Sequence, residues 1–413
     1  MRRLLLIDGN YFAQRVLGQV NMGDSENNLI TEIEQQNFRQ ALNNSLINLY
    51  KTFNNESTNL IDQIIFVCDC GSWRKDVKPF VPYYLKDDKD TPLGYKEQRK
   101  AVKEESPIDY DNFYKIYNDF TENIKDKVVL FKINKLEGDD ELMLLVNKLS
   151  KNSNIFSTVF CTDGDLMQIV RDNVVLMRNI RSKDAPNGEF VLTENTYKKI
   201  FEQSAMDALL GGAFDNSYFK NLFAIQIGSI DGKNKVERKL DRGISLATPF
   251  KTALVKSVAG DKKDNIFSLL SWKAKTGTRS YHITEKYIEK ALQVHGYDLS
   301  EINCQKILSS KETLFNLLLS LKEVTKQNDV ELTDMAYHLK HNLKINMLSV
   351  KNVPEELRNE FDKLFEENSD KIFNEKLNEN NLMTLYKEVN YNPKNKGKDV
   401  LKDSIPEIVE SFD

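Results

Sequence analysis

The 413-residue sequence carries its most suggestive chemistry in carboxylates that follow short apolar runs. Leu4 to Ile7 runs into Asp8, and Ile64 to Cys68 runs into Asp69. Val128 to Ile133 is followed by Glu137-Gly138-Asp139-Asp140, and Thr158 to Cys161 by Thr162-Asp163-Gly164-Asp165. Far downstream, Gly260-Asp261-Lys262-Lys263-Asp264-Asn265 sets two acids three apart, a spacing that places both on one side of a helical turn. Brought together, such carboxylates repel one another by several kcal/mol at the effective dielectric of a partly buried site, so they call for protonation or bound cations. Hard oxygen donors suit Mg²⁺ or Mn²⁺, whereas zinc would call for His and Cys. Two such ions roughly 4 Å apart could clamp a phosphate, one activating water and the other stabilising the leaving oxygen. Taken singly, each motif reads equally well as a helix N-cap or an Asp-Gly turn. Asp140, turned away from Asp139 on a helix, is the member expected to stand behind the others.

Acids so far apart in sequence meet only if the intervening elements deliver them to one place. The first 180 residues alternate β-branched apolar runs with longer helical patterns, the signature of an α/β fold with a parallel sheet flanked by helices. Val174 to Met177 supplies a fifth strand, and Leu142, Leu145, Val146 and Leu149 follow the i, i+3, i+4, i+7 rule of one buried helix face. The carboxyl ends of parallel strands line one edge, where ligand sites form. Residues 1–180 are therefore expected to be one domain and 181–255 a connector or insertion. The connector has turns at Ala185-Pro186-Asn187-Gly188 and Gly211-Gly212 and a charged stretch from Lys233 to Arg242. Residues 256–393 read as helical and 394–413 as a polar tail, in which Ile405, Ile408, Val409 and Phe412 could form a short amphipathic helix behind Pro406.

Composition narrows the class. At 40% hydrophobic, 29% charged and 10% aromatic the chain is globular in character, and no apolar run approaches a membrane span. Four cysteines, Cys68, Cys70, Cys161 and Cys304, form no C-x-x-C pair and suggest a reducing compartment. A net charge of −4 would disfavour a nucleic-acid partner if it were evenly spread, but it is not. Arg74 to Lys103 holds nine Lys or Arg against five acids, and Lys256 to Lys290 eight against four. The stretch 73–106 is also interrupted by Pro79, Pro82 and Pro92 and carries Tyr83, Tyr84 and Tyr95, a mixture suited to stacking bases and tracking phosphates. Trp73 reads as a packing residue. His338 and His341 lie three apart with nothing to complete a metal site, and read as surface or packing histidines.

In order and spacing, Leu6-Ile7-Asp8-Gly9-Asn10, Phe66-Val67-Cys68-Asp69, Glu137-Gly138-Asp139-Asp140, Thr162-Asp163-Gly164-Asp165 and Gly260 to Asn265 resemble the motifs of the flap endonuclease and 5′-3′ exonuclease family. Tyr95-Lys96-Glu97-Gln98-Arg99, followed by Glu104-Glu105-Ser106, is similar to the phage ribonuclease H branch of that family. The resemblance implies a PIN-like sheet with a helical DNA-binding extension, and hydrolysis of RNA or DNA from a 5′ end. It further implies Asp8, Asp69, Glu137, Asp139 and Asp163 around a first metal, with Asp140 close by, and Asp165, Asp261 and Asp264 around a second, several of them acting through metal-bound water. By the same resemblance 73–106 is a mobile arch in which Lys96 and Arg99 hold the scissile phosphate and Arg74 and Tyr95 meet nucleic acid. Lys262, Lys263, Lys273, Lys275 and Arg279 would then grip a duplex.

The stretch 271–279 departs from the glycine-rich hairpin of many relatives, which puts a potassium-binding turn there in doubt. Two Mg²⁺ ions (with Mn²⁺ able to substitute), DNA and RNA–DNA duplexes, 5′ flaps, a sliding clamp and a single-strand-binding protein complete what the resemblance implies. The chain would act as a monomer without a membrane, in a bacterial host cytoplasm if phage-encoded. A structure-specific RNase with the same centre and a non-catalytic nucleic-acid-binding scaffold are the competing readings, although a scaffold has no reason to hold so much repelling charge.

Overall fold

The computed structural model describes residues 1–21, 27–82, 94–178, 189–202, 218–219, 221–222, 244–276 and 280–389. Its centre is a seven-stranded sheet of β1 (Arg2–Asp8), β2 (Gln63–Val67), β3 (Val129–Phe131), β4 (Ile155–Phe160), β5 (Val174–Arg178), β6 (Glu189–Leu192) and β7 (Ile244–Leu246). The order across the sheet is β3-β2-β1-β4-β5-β6-β7. The first five strands run parallel, so the carboxyl ends of β1, β2, β3 and β4 share one edge.

Central parallel strands are covered on both faces and so read as unbroken apolar runs, which is why Leu4 to Ile7 and Ile64 to Val67 carry no polar alternation. The period of two then distributes them. Leu5, Ile7, Ile64 and Phe66 enter the core on one face, while Leu4, Leu6, Ile65 and Val67 enter the core on the other. The first face is covered by α1 (Gly9–Val20), α2 (Glu32–Phe53) and α4 (Tyr110–Ile124), numbered around α3 (Gln98–Glu104), which buries none of its side chains. The second is covered by α5 (Gly138–Leu149), where Leu142, Leu145, Val146 and Leu149 are all buried as their spacing requires.

Beyond residue 180 the boundaries drawn from sequence move. The supposed connector joins the sheet twice: β6 pairs antiparallel with β5, and, beyond α6 (Glu194–Tyr197), β7 pairs parallel with β6. A third core is built by α7 (Pro249–Ala259), α8 (Glu285–Gln293), α9 (Glu301–Ser309), α10 (Lys311–Thr325) and α11 (Leu332–Asn346), beside the short hairpin of β8 (Ser271–Lys273) and β9 (Ser280–His282). That core ends with α11. Leu357, Phe361 and Phe365 of α12 (Glu355–Glu367) and Ile372 of α13 (Ser369–Phe373) pack on the second sheet face, and Leu382 and Leu385 of α14 (Glu379–Val389) on the first. Helical periodicity shows that each of these helices has an apolar face, but not which of two apolar surfaces it covers.

His338 is 2% exposed and stacks on Phe80 with ring centroids 4.5 Å apart, so it is a packing residue that ties the segment after Trp73 to α11. The turns at 185–188 and 211–212, the charged stretch 233–242, Tyr83, Tyr84, Arg279 and the tail from 390 lie outside the described residues. Among the described residues no helix is long and apolar enough to cross a membrane.

Candidate metal centre

The carboxylates fall into two groups, the first delivered by the sheet edge and the second shared between that edge and a turn after α7. Asp8 closes β1 and caps α1, accepting from the Tyr11 N–H at 3.0 Å, while its other oxygen accepts from the Cys161 thiol at 2.9 Å. Asp69 follows β2 and accepts from the Gly138 N–H at the start of α5. Gly138 packs closely against them: a Cβ there would lie 3.2 Å from Asp69 Oδ1, so that carboxylate would have to give by a few tenths of an ångström, and 3.7 Å from Asp8 Oδ1, an ordinary contact. Asp139, in the first turn of α5, faces Asp163 and Asp8 electrostatically, and Asp163 caps the turn at Gly164–Ile169.

Burial and mutual repulsion act in one direction here. Asp8 is raised by burial. Asp69 is pushed up to about 7 by burial and by Asp8. Asp139 is raised well above the carboxylate range by burial, Asp163 and Asp8.

The second group is Asp165, Asp261 and Asp264, each of which offers one oxygen within 4.8 Å of the others. Asp165 comes from the sheet edge, two residues after Asp163. Asp261 and Asp264 come from a tight turn after α7, closed by paired hydrogen bonds between Asp261 and Ile266, both 2.8 Å. Gly260 makes that turn possible. Its φ is +78°, and a Cβ would stand 2.4 Å from the Ile266 carbonyl oxygen.

Basic side chains are threaded through this group. Lys256 Nζ lies 2.6 Å from Asp165 Oδ1 and 2.8 Å from Asp261 Oδ2. Burial holds Asp165 up at about 6 in spite of that lysine, whereas Lys256 outweighs burial at Asp261 and lowers it.

Glu137 sits between the groups as the residue preceding α5. Burial alone would raise it, but Lys96 at 2.5 Å and Arg74 at 3.0 Å pull it below the usual range. Lys96 Nζ also stands 3.9 Å from Asp264 Oδ2, Arg99 pairs with Asp264 Oδ1, and the Tyr95 hydroxyl donates to Glu137 at 3.1 Å. Backbone contacts dock the same segment. Lys96 N–H donates to the Asp264 carbonyl at 3.1 Å, Gln98 to the Lys263 carbonyl at 2.8 Å, and Asn265 to the Gly94 carbonyl at 3.1 Å. The base of the 73–106 stretch is thus held against the turn at 261–265, with Lys96 reaching from Glu137 toward Asp264 and Arg99 on the outer side of Asp264.

One expectation changes, and it concerns the residue that meets Asp140. Arg74, read from sequence as a nucleic-acid contact, is 3% exposed and gives its fork to Asp140 at 2.6 and 2.8 Å and its Nε to the Ile345 carbonyl at 2.9 Å. Asp140, 1% exposed, is consumed by that fork and by the Trp73 indole N–H at 2.9 Å, so it supports α5 from behind and has no oxygen facing the other acids. A guanidinium and a carboxylate that meet in a dry interior satisfy each other's hydrogen bonds, which leaves neither for an outside partner.

Lys262 and Lys263 are exposed between Asp261 and Asp264, Lys275 is exposed, and Lys273 lies in β8. Sequence reasoning passed over Lys256, Cys161 and Gln98. Only the basic count after residue 256 hinted at the first, and nothing in the local pattern pointed to the other two.

The donor set is oxygen-only apart from the Cys161 thiol, it includes four acids raised by burial, and it is flanked by lysines already drawn to it. That fits hard divalent cations.

Neither a family profile nor a curated protein matches the sequence. Among solved structures the chain is similar to the bacteriophage T5 5′-exonuclease with bound zinc, at 14% identity and a TM-score of 0.42 over 88% of this chain and 99% of that one. It is also similar to the T5 D15 protein co-crystallised with metal ions, at 15% identity and a TM-score of 0.41 over 88% and 99%. A D15 flap endonuclease complex with DNA and metal ions follows at 14% identity and a TM-score of 0.39 over 88% and 98%. Likeness of this size is too slight to carry a function, and the case rests on the side chains themselves.

Proposed function

We propose that this chain is a divalent-cation-dependent 5′ nuclease that hydrolyses phosphodiester bonds at 5′ ends and flaps of DNA and RNA–DNA duplexes, including the removal of RNA primers in phage replication. One observation carries the reading. Two carboxylate groups meet at one sheet edge, the second completed by the turn after α7, and from a separate basic segment Lys96 pairs with Glu137 and Arg99 with Asp264.

Asp8, Asp69, Asp139 and Asp163 would hold one Mg²⁺ and Asp165, Asp261 and Asp264 the other, with Mn²⁺ able to substitute and Glu137 shared along the boundary. Bound there, the ions would activate water and stabilise the leaving oxygen. The chain's own residues do the rest. Lys96 and Arg99 are positioned to exchange carboxylates for phosphate oxygens, Arg99 with a fork that matches a phosphate. Tyr95 keeps Glu137 oriented through its hydroxyl, and Arg74 with Asp140 keeps the start of α5 rigid. Exposed Lys262, Lys263 and Lys275 would track duplex phosphates.

The test is cleavage of a 5′-labelled flap and of an RNA-primed duplex with Mg²⁺ and with EDTA. Short 5′-phosphorylated products that vanish with EDTA are expected. Duplex binding without cleavage in Mg²⁺ would return the chain to a binding scaffold.

A further inference from the structure

Lys256 is held in place from several sides. It lies in the last turn of α7, and the backbone around it is pinned from α11: Asn346 donates to the Lys256 carbonyl at 3.1 Å and Asn342 to the Ser257 carbonyl at 2.9 Å. Asn342 also reaches the Phe267 carbonyl at 2.8 Å, which ties α7 to the segment just after the acidic turn. From that anchored position the ammonium bridges Asp165 of the sheet edge and Asp261 of the turn, two of the three acids whose oxygens converge. In the first carboxylate group Asp8 and Asp69 are held by a thiol and backbone N–H groups, and Lys96, in contact with Glu137 and Asp264, reaches Asp69 and Asp139 only through its charge.

Resting on the metal-centre reading above, we propose that Lys256 is a tethered cation of the second carboxylate group, which holds Asp165 and Asp261 together without metal and competes with a divalent ion for them. An ammonium and a dication cannot share the same two oxygens at contact distance without strong repulsion. Entry of the ion therefore displaces Lys256 toward solvent, where it is free to meet an anion. Lys256 is a positioning residue that keeps the second ion weaker than the first, so that the second site fills when phosphate arrives to accept the released charge.

The experiment is Mn²⁺ binding to the full chain without nucleic acid, followed by calorimetry, for the unmodified protein and for Lys256→Met, Lys256→Gln and Lys256→Arg. The unmodified protein is expected to bind one ion tightly and a second weakly. Both neutral variants should tighten the second ion on the order of tenfold or more, with Lys256→Arg, which keeps the charge, staying near the starting value. The rise in melting temperature on adding Mn²⁺ should be larger in the neutral variants than in the unmodified protein, because tighter ligand binding stabilises the folded state further. A purely structural lysine would not produce this pattern.

An unchanged or weakened second ion in both neutral variants overturns the proposal and leaves the metal centre standing. No ion bound by any of the proteins overturns the metal centre itself. If Lys256→Met fails to fold, Lys256→Gln decides.

Discussion

The two carboxylate groups are built from the same residue type, with Asp163 and Asp165 only two residues apart yet one in each, and they meet their charge differently. In the first, burial and mutual repulsion lift Asp8, Asp69 and Asp139 together; N–H groups and a thiol are their hydrogen-bond partners, and the charge of Lys96 offsets the rise at Asp69 and Asp139 only in part. In the second, Lys256, Lys96 and Arg99 already stand among the acids, and Asp261 is lowered below the usual range by Lys256, although burial still holds Asp165 up at about 6. The first group stores repulsion that only protons or cations relieve, whereas the second is nearly neutral as folded. Affinity for a cation should therefore be higher at the first group and adjustable at the second.

The largest test of this contrast is removal of a charge from the first group. Asp163→Asn is expected to lower hydrolysis on the order of 10³-fold or more while duplex binding is largely kept; near-full activity in a cleavage assay would dismantle the grouping. Next comes the support behind it. Arg74→Met leaves Asp140 buried without its partner and should cost about 3–5 kcal/mol in denaturant unfolding. A loss under about 1 kcal/mol would place Arg74 at the surface, where exposed pairs contribute that little.

Lys96→Ala should slow cleavage about 10- to 100-fold, as for loss of a group that orients a reacting phosphate, with a milder effect on binding. An unchanged rate would mean that the lysine merely fills space between the groups.

The smallest effect is the pH dependence of stability in EDTA. Asp69, held at about 7, and Asp165, held at about 6, lie above their unfolded values near 4. The folded chain therefore binds more protons than the unfolded one between those limits. The stability they contribute is complete below about pH 4 and is lost as pH rises through 6 and 7. The melting temperature in EDTA should fall over that window, and Mg²⁺ should flatten the fall. A rising curve would show that the basic side chains outweigh burial at Asp69 and Asp165, as Lys256 does at Asp261.

Much of this arrangement is legible in the order of the amino acids. The apolar run Leu4 to Ile7 ending at Asp8 suffices to place a carboxylate at the end of a buried parallel strand, because a strand covered on both faces accommodates four consecutive aliphatic residues. The spacing of Leu142, Leu145, Val146 and Leu149 defines the buried face of α5, and with it the direction in which Asp139 and Asp140 diverge. Trp73 and His338 read as packing residues because nothing nearby offers them chemistry.

Arg74 is not legible in this way. It stands in a basic stretch beside residues that are exposed, and its burial depends on Asp140, 66 residues away. Lys256 is hidden for the same reason, since its partners Asp165 and Asp261 come from different elements.

By itself, then, the sequence determined the parallel strands, the acids at their ends and the helix faces, since each is encoded in a window of a few residues by side-chain period and hydrophobicity. Only the tertiary structure decided which charges meet. It returned α12, α13 and α14 to the sheet, buried Arg74 behind the centre and brought Lys256 and Lys96 among the acids. Coulomb energy depends on distances between segments that the chain brings together by folding, and no local pattern records them.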